Sequence, residues 1–233
     1  MRKRRKVVPD SPHHVVHRGN NRRRLFSYPR DYHRLLFDLR VAVRQTRCTV
    51  QALCLMANHV HLIVTPPEPH ALSDFVKLFA QRYARHRNDQ RNSSGKLFEG
   101  RFWSEPIKST FHLAVATMYI DRNPVASGFK NPAEDFRWST CALHWTGNAN
   151  DKAISDLWTP SFWYLSLGRS AEERALEYKK SFALYSRTAL AREQHEFFGS
   201  FDVGRTRYKR RLERPNRSSA CEDSELSRYG LEG

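Results

Sequence analysis

Met56-Ala-Asn-His-Val-His-Leu-Ile-Val-Thr65 is the stretch whose reading decides the fold. In a β-strand successive side chains alternate faces, so His59, His61 and Ile63 point one way and Val60, Leu62 and Val64 the other. The second set is a continuous apolar face that requires a core. The first presents two imidazoles about 6–7 Å apart along the strand. Both can then reach one divalent ion, and a strand holds them rigidly enough to do so. His-x-His alone also describes two half-exposed strand histidines, so the surrounding chain has to decide.

Upstream, Cys48–Met56 has β character, and Ala57-Asn58 is short enough to turn it directly into the histidine strand as a hairpin. Thr65-Pro-Pro-Glu-Pro-His70 ends the hairpin, because proline cannot continue a ladder. Two amphipathic helices flank it. Arg30–Thr46 carries the stripe Tyr32, Leu35, Leu36, Leu39 and Val43, and Ala71–Asn88 carries Leu72, Phe75, Val76, Phe79 and Tyr83. The other face of the second holds Lys77, Arg82, Arg85 and Arg87. A β-prone run, His13–Gly19, precedes the basic loop Asn20–Arg24, and Lys96–Lys108 is extended, aromatic and basic. The order β-α-β-β-α-β-α predicts an α+β domain: a ferredoxin-like antiparallel sheet with helices on one face. The histidine strand is then central, its imidazoles directed at the surface that a later helix crosses.

That later helix starts at a cap, Ser109 or Thr110, and runs to about Asn123, where Pro124 is expected to stop it. His112, Ala116, Tyr119 and Asn123 share one of its faces. Gly128–Asn150 is loop-rich, with Trp138 and Trp145. Ser170-Ala-Glu-Glu173 is a capping box opening a helix to about Glu196. The expected organisation is a basic arm over 1–12, a catalytic domain over 13–147, a helical extension over 148–203 and a flexible basic tail over 204–233.

Across 233 residues the chain carries 40 Lys+Arg against 24 Asp+Glu, a formal net charge of +16 that calls for a polyanionic partner, nucleic acid above all. Apolar content of 39%, with 14 Phe and 5 Trp, specifies a folded core. Cys48, Cys54, Cys141 and Cys221 show no C-x-x-C spacing and read as reduced cytosolic thiols. The basic start, Met1–Lys6, lacks the apolar stretch of a signal peptide. The expected location is the cytoplasm.

Met56-Ala-Asn-His-Val-His-Leu-Ile-Val64 followed by Tyr119-Ile-Asp-Arg-Asn-Pro-Val125 resembles the IS200-type Y1 transposases, which are HUH single-strand DNA endonucleases. Arg18-Gly-Asn-Asn-Arg22, Gly100-Arg-Phe-Trp103 and Trp138-Ser139 are similar to their REP-associated branch, and the similarity spans about residues 13–145. The resemblance implies a transposase, a single-stranded DNA endonuclease and strand-transfer enzyme acting on hairpin-forming DNA through a 5′-phosphotyrosine intermediate. It implies Tyr119 as nucleophile and His59, His61 and Asn123 as ligands of a divalent metal, Mg²⁺ or Mn²⁺. Candidate DNA contacts are Arg18, Asn21, Arg22, Arg24, Arg101 and Lys108, which flank the site in sequence. Ala126 stands where a basic residue is expected, so no DNA contact is assigned there. Tyr32 and Tyr83 lie on core stripes, and Tyr208 and Tyr229 sit in the tail.

Two other classes compete. One is a non-catalytic protein, derived from a transposase, that holds structured single strands. The other is a zinc-stabilised RNA-binding domain, which would lose its fold on chelation. Binding alone needs none of His59, His61, Tyr119 and Asn123, so the complete set favours the enzyme. Related enzymes are monomers or dimers that exchange their tyrosine helices; the long C-terminal extension favours a monomer.

Overall fold

The structure, a computed structural model, describes residues 6–187. Residues 1–5 of the expected arm, 188–203 of the expected extension and the expected tail at 204–233 lie outside the described residues, with Tyr208 and Tyr229. A four-stranded antiparallel sheet has the order β2-β3-β1-β4, with β1 His13–Arg18, β2 Thr49–Met56, β3 His59–Thr65 and β4 Trp103–Pro106. Ala57 and Asn58 form the two-residue turn between β2 and β3, so the histidine strand is central. This is the ferredoxin-like order, read correctly from the pattern of periodicities.

The two faces of the sheet divide the molecule. Val60, Leu62 and Val64, with Val15, Leu53 and Leu55 beside them in register, are fully buried under α1 (Pro29–Thr46) and α2 (Ala71–Gln90). Leu35, Leu36 and Leu39 from α1, and Phe75, Phe79 and Tyr83 from α2, complete that core. The stripes read from the sequence are the surfaces that pack.

Arg87, read as part of the polar face of α2, is instead buried. Its Nη1 donates to Asp31 Oδ1 at 2.7 Å, while Asp31 Oδ2 accepts the backbone N–H groups of Ser27 and Tyr28 at the start of α1. A second buried carboxylate, Asp38, accepts from Arg34 and Arg82 at 3.0 and 2.9 Å. Two of the four basic residues on α2 are therefore consumed in joining it to α1.

The opposite face is crossed by α3, Thr110–Ala126. Ser109 caps it, its side chain accepting from the His112 N–H. Pro124 does not stop the helix at Asn123, as the sequence suggested. It sits within the last turn, where it removes one backbone donor, and the Ser127 N–H closes the end on the Asn123 and Pro124 carbonyls. Leu113, Ala116 and Ile120 are buried, as is Ala114 on another side, because α3 is covered both by the sheet and by an outer layer. That layer comprises α4 (Cys141–Thr146), α6 (Phe162–Ser166) and α7 (Ala171–Arg187), while α5 (Lys152–Ser155) packs against α1. The Ser170 and Glu173 capping box opens α7 as expected, the Glu173 N–H donating to Ser170 Oγ and Glu173 Oε2 accepting from the Ser170 N–H. No described helix is long and apolar enough to cross a membrane.

Candidate active site

His59 and His61 leave β3 on the face covered by α3, their ring centroids 4.8 Å apart. Asn123, on α3, brings its amide Nδ2 to 3.4 Å from His61 Nε2. Tyr119, one turn earlier, is half-buried with its ring centroid 5.7 Å from that of His61. The four residues singled out in the sequence thus meet between one strand and one helix.

Two residues missed by the sequence reading orient them. Asn58, the second turn residue, accepts from His59 Nδ1–H through Oδ1 at 2.7 Å, which leaves the Nε2 lone pair available. His14, on β1, lies 3.1 Å from His61 Nδ1 through its Nε2, stacks on that ring at 5.3 Å and meets Tyr119 edge-on at 5.9 Å. With Asn123 donating to His61 Nε2, His61 Nδ1–H donates to His14. The signal for His14 was the strand order: pairing β1 against β3 puts His14, Val16 and Arg18 on the face of His59 and His61. Trp103, opposite Val16 on β4, closes the far side of His14 at 5.3 Å.

Burial governs the electrostatics. It holds His59 down to about 4, with Arg18 adding to the effect, and His61 well below the ordinary imidazole value, with His59, His14 and Arg18 adding. His14 is held at about 3 by burial and then by His112. At neutral pH the imidazoles are uncharged, the form that ligates metals.

The residues fit a divalent ion. Among the described residues no three of His, Cys, Asp and Glu are arranged as a metal cluster; the donors that could hold an ion here are the two imidazoles and the Asn123 amide. His59 is fixed with Nε2 unprotonated. A half-turn of the Asn123 amide exchanges its nitrogen for its oxygen beside His61 Nε2. This mixed N,O set suits Mg²⁺ or Mn²⁺ and has no thiolate to select zinc.

The candidate DNA contacts fall into two places. Arg18 stands directly opposite His59. Asn21, Arg22 and Arg24 are exposed on a loop docked to the hairpin turn, where the Gly19 N–H donates to Asn58 and the Leu25 N–H to Ala57. A side chain at Gly19 would overlap the Arg23 carbonyl oxygen, so this loop needs glycine for its tight return. Arg101 is exposed and follows Glu99, whose N–H donates to Arg18. Lys108 is separate. It follows Ile107, which bonds Pro12, and so lies beyond the opposite end of β1, about 17 Å along the strand.

A model of IS200-like transposases matches residues 7–123. No curated protein matches the chain. Among solved structures, a REP-associated tyrosine transposase bound to a REP hairpin is similar, with a TM-score of 0.54 and 19% identity over 68% of this chain and 88% of that one. A candidate transposase from Deinococcus radiodurans shares 21% identity over 49% of this chain and 92% of its own, with a TM-score of 0.37. The former likeness extends the shared fold past the family match. With residues 7–123 spanning the whole sheet and α3 as far as Asn123, the chain belongs to the IS200-like transposase family.

Proposed function

We propose that this transposase is a metal-dependent single-stranded DNA endonuclease and strand-transfer enzyme of the REP-associated kind, acting on hairpin-forming DNA. The convergence of Tyr119, His59, His61 and Asn123 at one point carries the reading. His59 Nε2, His61 Nε2 and the Asn123 amide oxygen would hold Mg²⁺ or Mn²⁺, which when bound neutralises charge on the scissile phosphate.

Tyr119 is the nucleophile. Its phenolic oxygen forms the bond to phosphorus while the bond to the 3′ oxygen breaks, leaving a 5′-phosphotyrosine and a free 3′-OH. The phenol gives up one proton and the departing oxygen gains one. One phosphoester bond replaces another, so the 3′-OH can reverse the step and join strands without an external energy source. His61 is steered by His14, and His59 by Asn58. Arg18 faces His59 and would hold the phosphate next to the cleaved one, while Arg22, Arg24, Arg101 and Asn21 line the approach. The protein acts as a monomer, in the cytoplasm.

The test is covalent trapping. The full chain is incubated with end-labelled single-stranded hairpin oligonucleotides in Mg²⁺, Mn²⁺ or EDTA, and run on a denaturing gel. A metal-dependent shifted band, lost in Tyr119→Phe, is expected. Tight binding with no adduct across a broad oligonucleotide pool would replace this reading with that of a non-catalytic DNA-binding protein. An adduct that survives Tyr119→Phe would assign the nucleophile elsewhere.

A further inference from the structure

Between Tyr119 and Asn123 on α3 lies Asp121, fully buried and directed away from both. Its partners all come from beyond the family match at residue 123. Asp121 Oδ2 accepts from the Tyr178 hydroxyl at 2.6 Å and from His144 Nδ1–H at 2.7 Å. The Thr140 hydroxyl, 3.4 Å from Oδ1, shares its proton between that oxygen and the Leu53 carbonyl. Two elements, α4 with its capping residue Thr140 and α7, thus converge on one carboxylate of the nucleophile helix, and Thr140 ties them to the β2 backbone. His144 and Tyr178 stack at 5.1 Å, which fixes the two strongest donors relative to each other.

We infer that Asp121, with Tyr178 and His144, is a positioning device that sets the rotation of α3 and so places Tyr119 and Asn123 against the β3 histidines. The inference rests on the function proposed above. A buried carboxylate tolerates little loss of its donors, because an unmade hydrogen bond to a charged group is costly in a low-dielectric interior. The helix is therefore held at the angle at which all of them reach. That angle matters at the site. The end of a helical side chain stands about 5–6 Å from the helix axis, so a rotation of roughly 10° moves it by about 1 Å, and misplacement by about 1 Å can cost about 100-fold in rate. Seven residues after Tyr178, on the same face of α7, Tyr185 is also buried and lies within the electrostatic reach of Arg122 and Tyr119. The outer layer thus meets the reacting helix at two points about two turns apart along α7.

The measurement is single-turnover adduct formation on a hairpin oligonucleotide in Mn²⁺, with the full-length chain, for Tyr178→Phe, Asp121→Asn and the double variant. Tyr178→Phe removes one hydroxyl and leaves the aromatic packing. It is expected to slow the step at saturating DNA about 10- to 100-fold, with the DNA concentration for half-maximal rate within about twofold of wild type. The double variant should be no slower than the slower single one, since both break the same network. A Tyr178→Phe chain that stays folded by circular dichroism and reacts at the wild-type rate would overturn the inference, as would losses that multiply in the double variant. If Asp121→Asn does not fold, Tyr178→Phe decides alone. A wild-type chain that forms no adduct would remove the proposed function and this inference together, whereas wild-type activity with an indifferent Tyr178→Phe removes only the inference.

Discussion

At the scale of the residue, the site is a set of neutral imidazoles kept in one tautomer by their neighbours. His14 and Asn58 bond to the nitrogens of His61 and His59 that would not face an ion. Such outer partners typically change metal affinity by about 10- to 100-fold. His14→Ala is expected to weaken Mn²⁺ binding by about that factor in calorimetric titration, and His14→Gln, which keeps an acceptor, to weaken it less. Equal affinity for His14→Ala and wild type would remove His14 from the site. The depressed basicity also fixes a pH dependence. In EDTA the unfolded chain takes up protons on His59 and His61 below about pH 6.5, whereas the folded chain does not until much lower pH, His59 at about 4. The unfolded state then binds more protons, so stability falls as pH falls through this window. His59, whose ring edge still meets solvent, contributes on the order of 2 kcal/mol between about pH 6.5 and 4.5. Urea unfolding at the two values should show the loss, and His59→Gln should reduce it. A pH-independent midpoint would contradict the burial of these rings.

At the scale of the element, the strands and the first two helices hold the site from behind. The Asp31–Arg87 pair is buried at both ends and joins the start of α1 to the last turns of α2. Removing one partner leaves the other charge without its counterpart in the interior, a loss of about 3–5 kcal/mol. Arg87→Met is expected to show it in urea unfolding at pH 7, and a change under about 1 kcal/mol would mean that the carboxylate finds other donors. The sequence displayed Arg87 on a basic face because helical spacing reports angle about the axis. It does not report which angles a neighbouring helix covers. Pro124 was misread for a related reason: a proline in the last turn removes one donor from a helix end that already lacks partners, so the final turn survives it.

At the scale of the whole molecule, the net charge of +16 is distributed unevenly in its usefulness. Arg34, Arg82 and Arg87 serve buried carboxylates on the far side of the sheet. Arg18, Arg22, Arg24 and Arg101 gather at the His59 end. Binding to single-stranded DNA should therefore weaken with salt by about 0.7 log units per log unit of salt for each phosphate neutralised. Arg18→Ala is expected to reduce that slope by about 0.7, and Lys77→Ala, on the α2 side, to leave it unchanged, both read by fluorescence anisotropy. An equal drop for the two would place the DNA on the other face.

Much of this protein was legible in the sequence because periodicity is a local property. Alternation at Val60, Leu62 and Val64 named the core face of β3, the stripes of α1 and α2 named their packing surfaces, and the Tyr119–Asn123 spacing put both on one side of a helix. Those patterns follow from the geometry of a single strand or helix, which a few consecutive residues specify. The tertiary structure decided what depends on residues distant in sequence. His14 reaches His61 across 47 positions, and Asp121 finds Tyr178 across 57. A buried carboxylate or a ring nitrogen is satisfied by whichever donor the fold brings within reach, and that distance exists only once the strands have paired and the helices have packed.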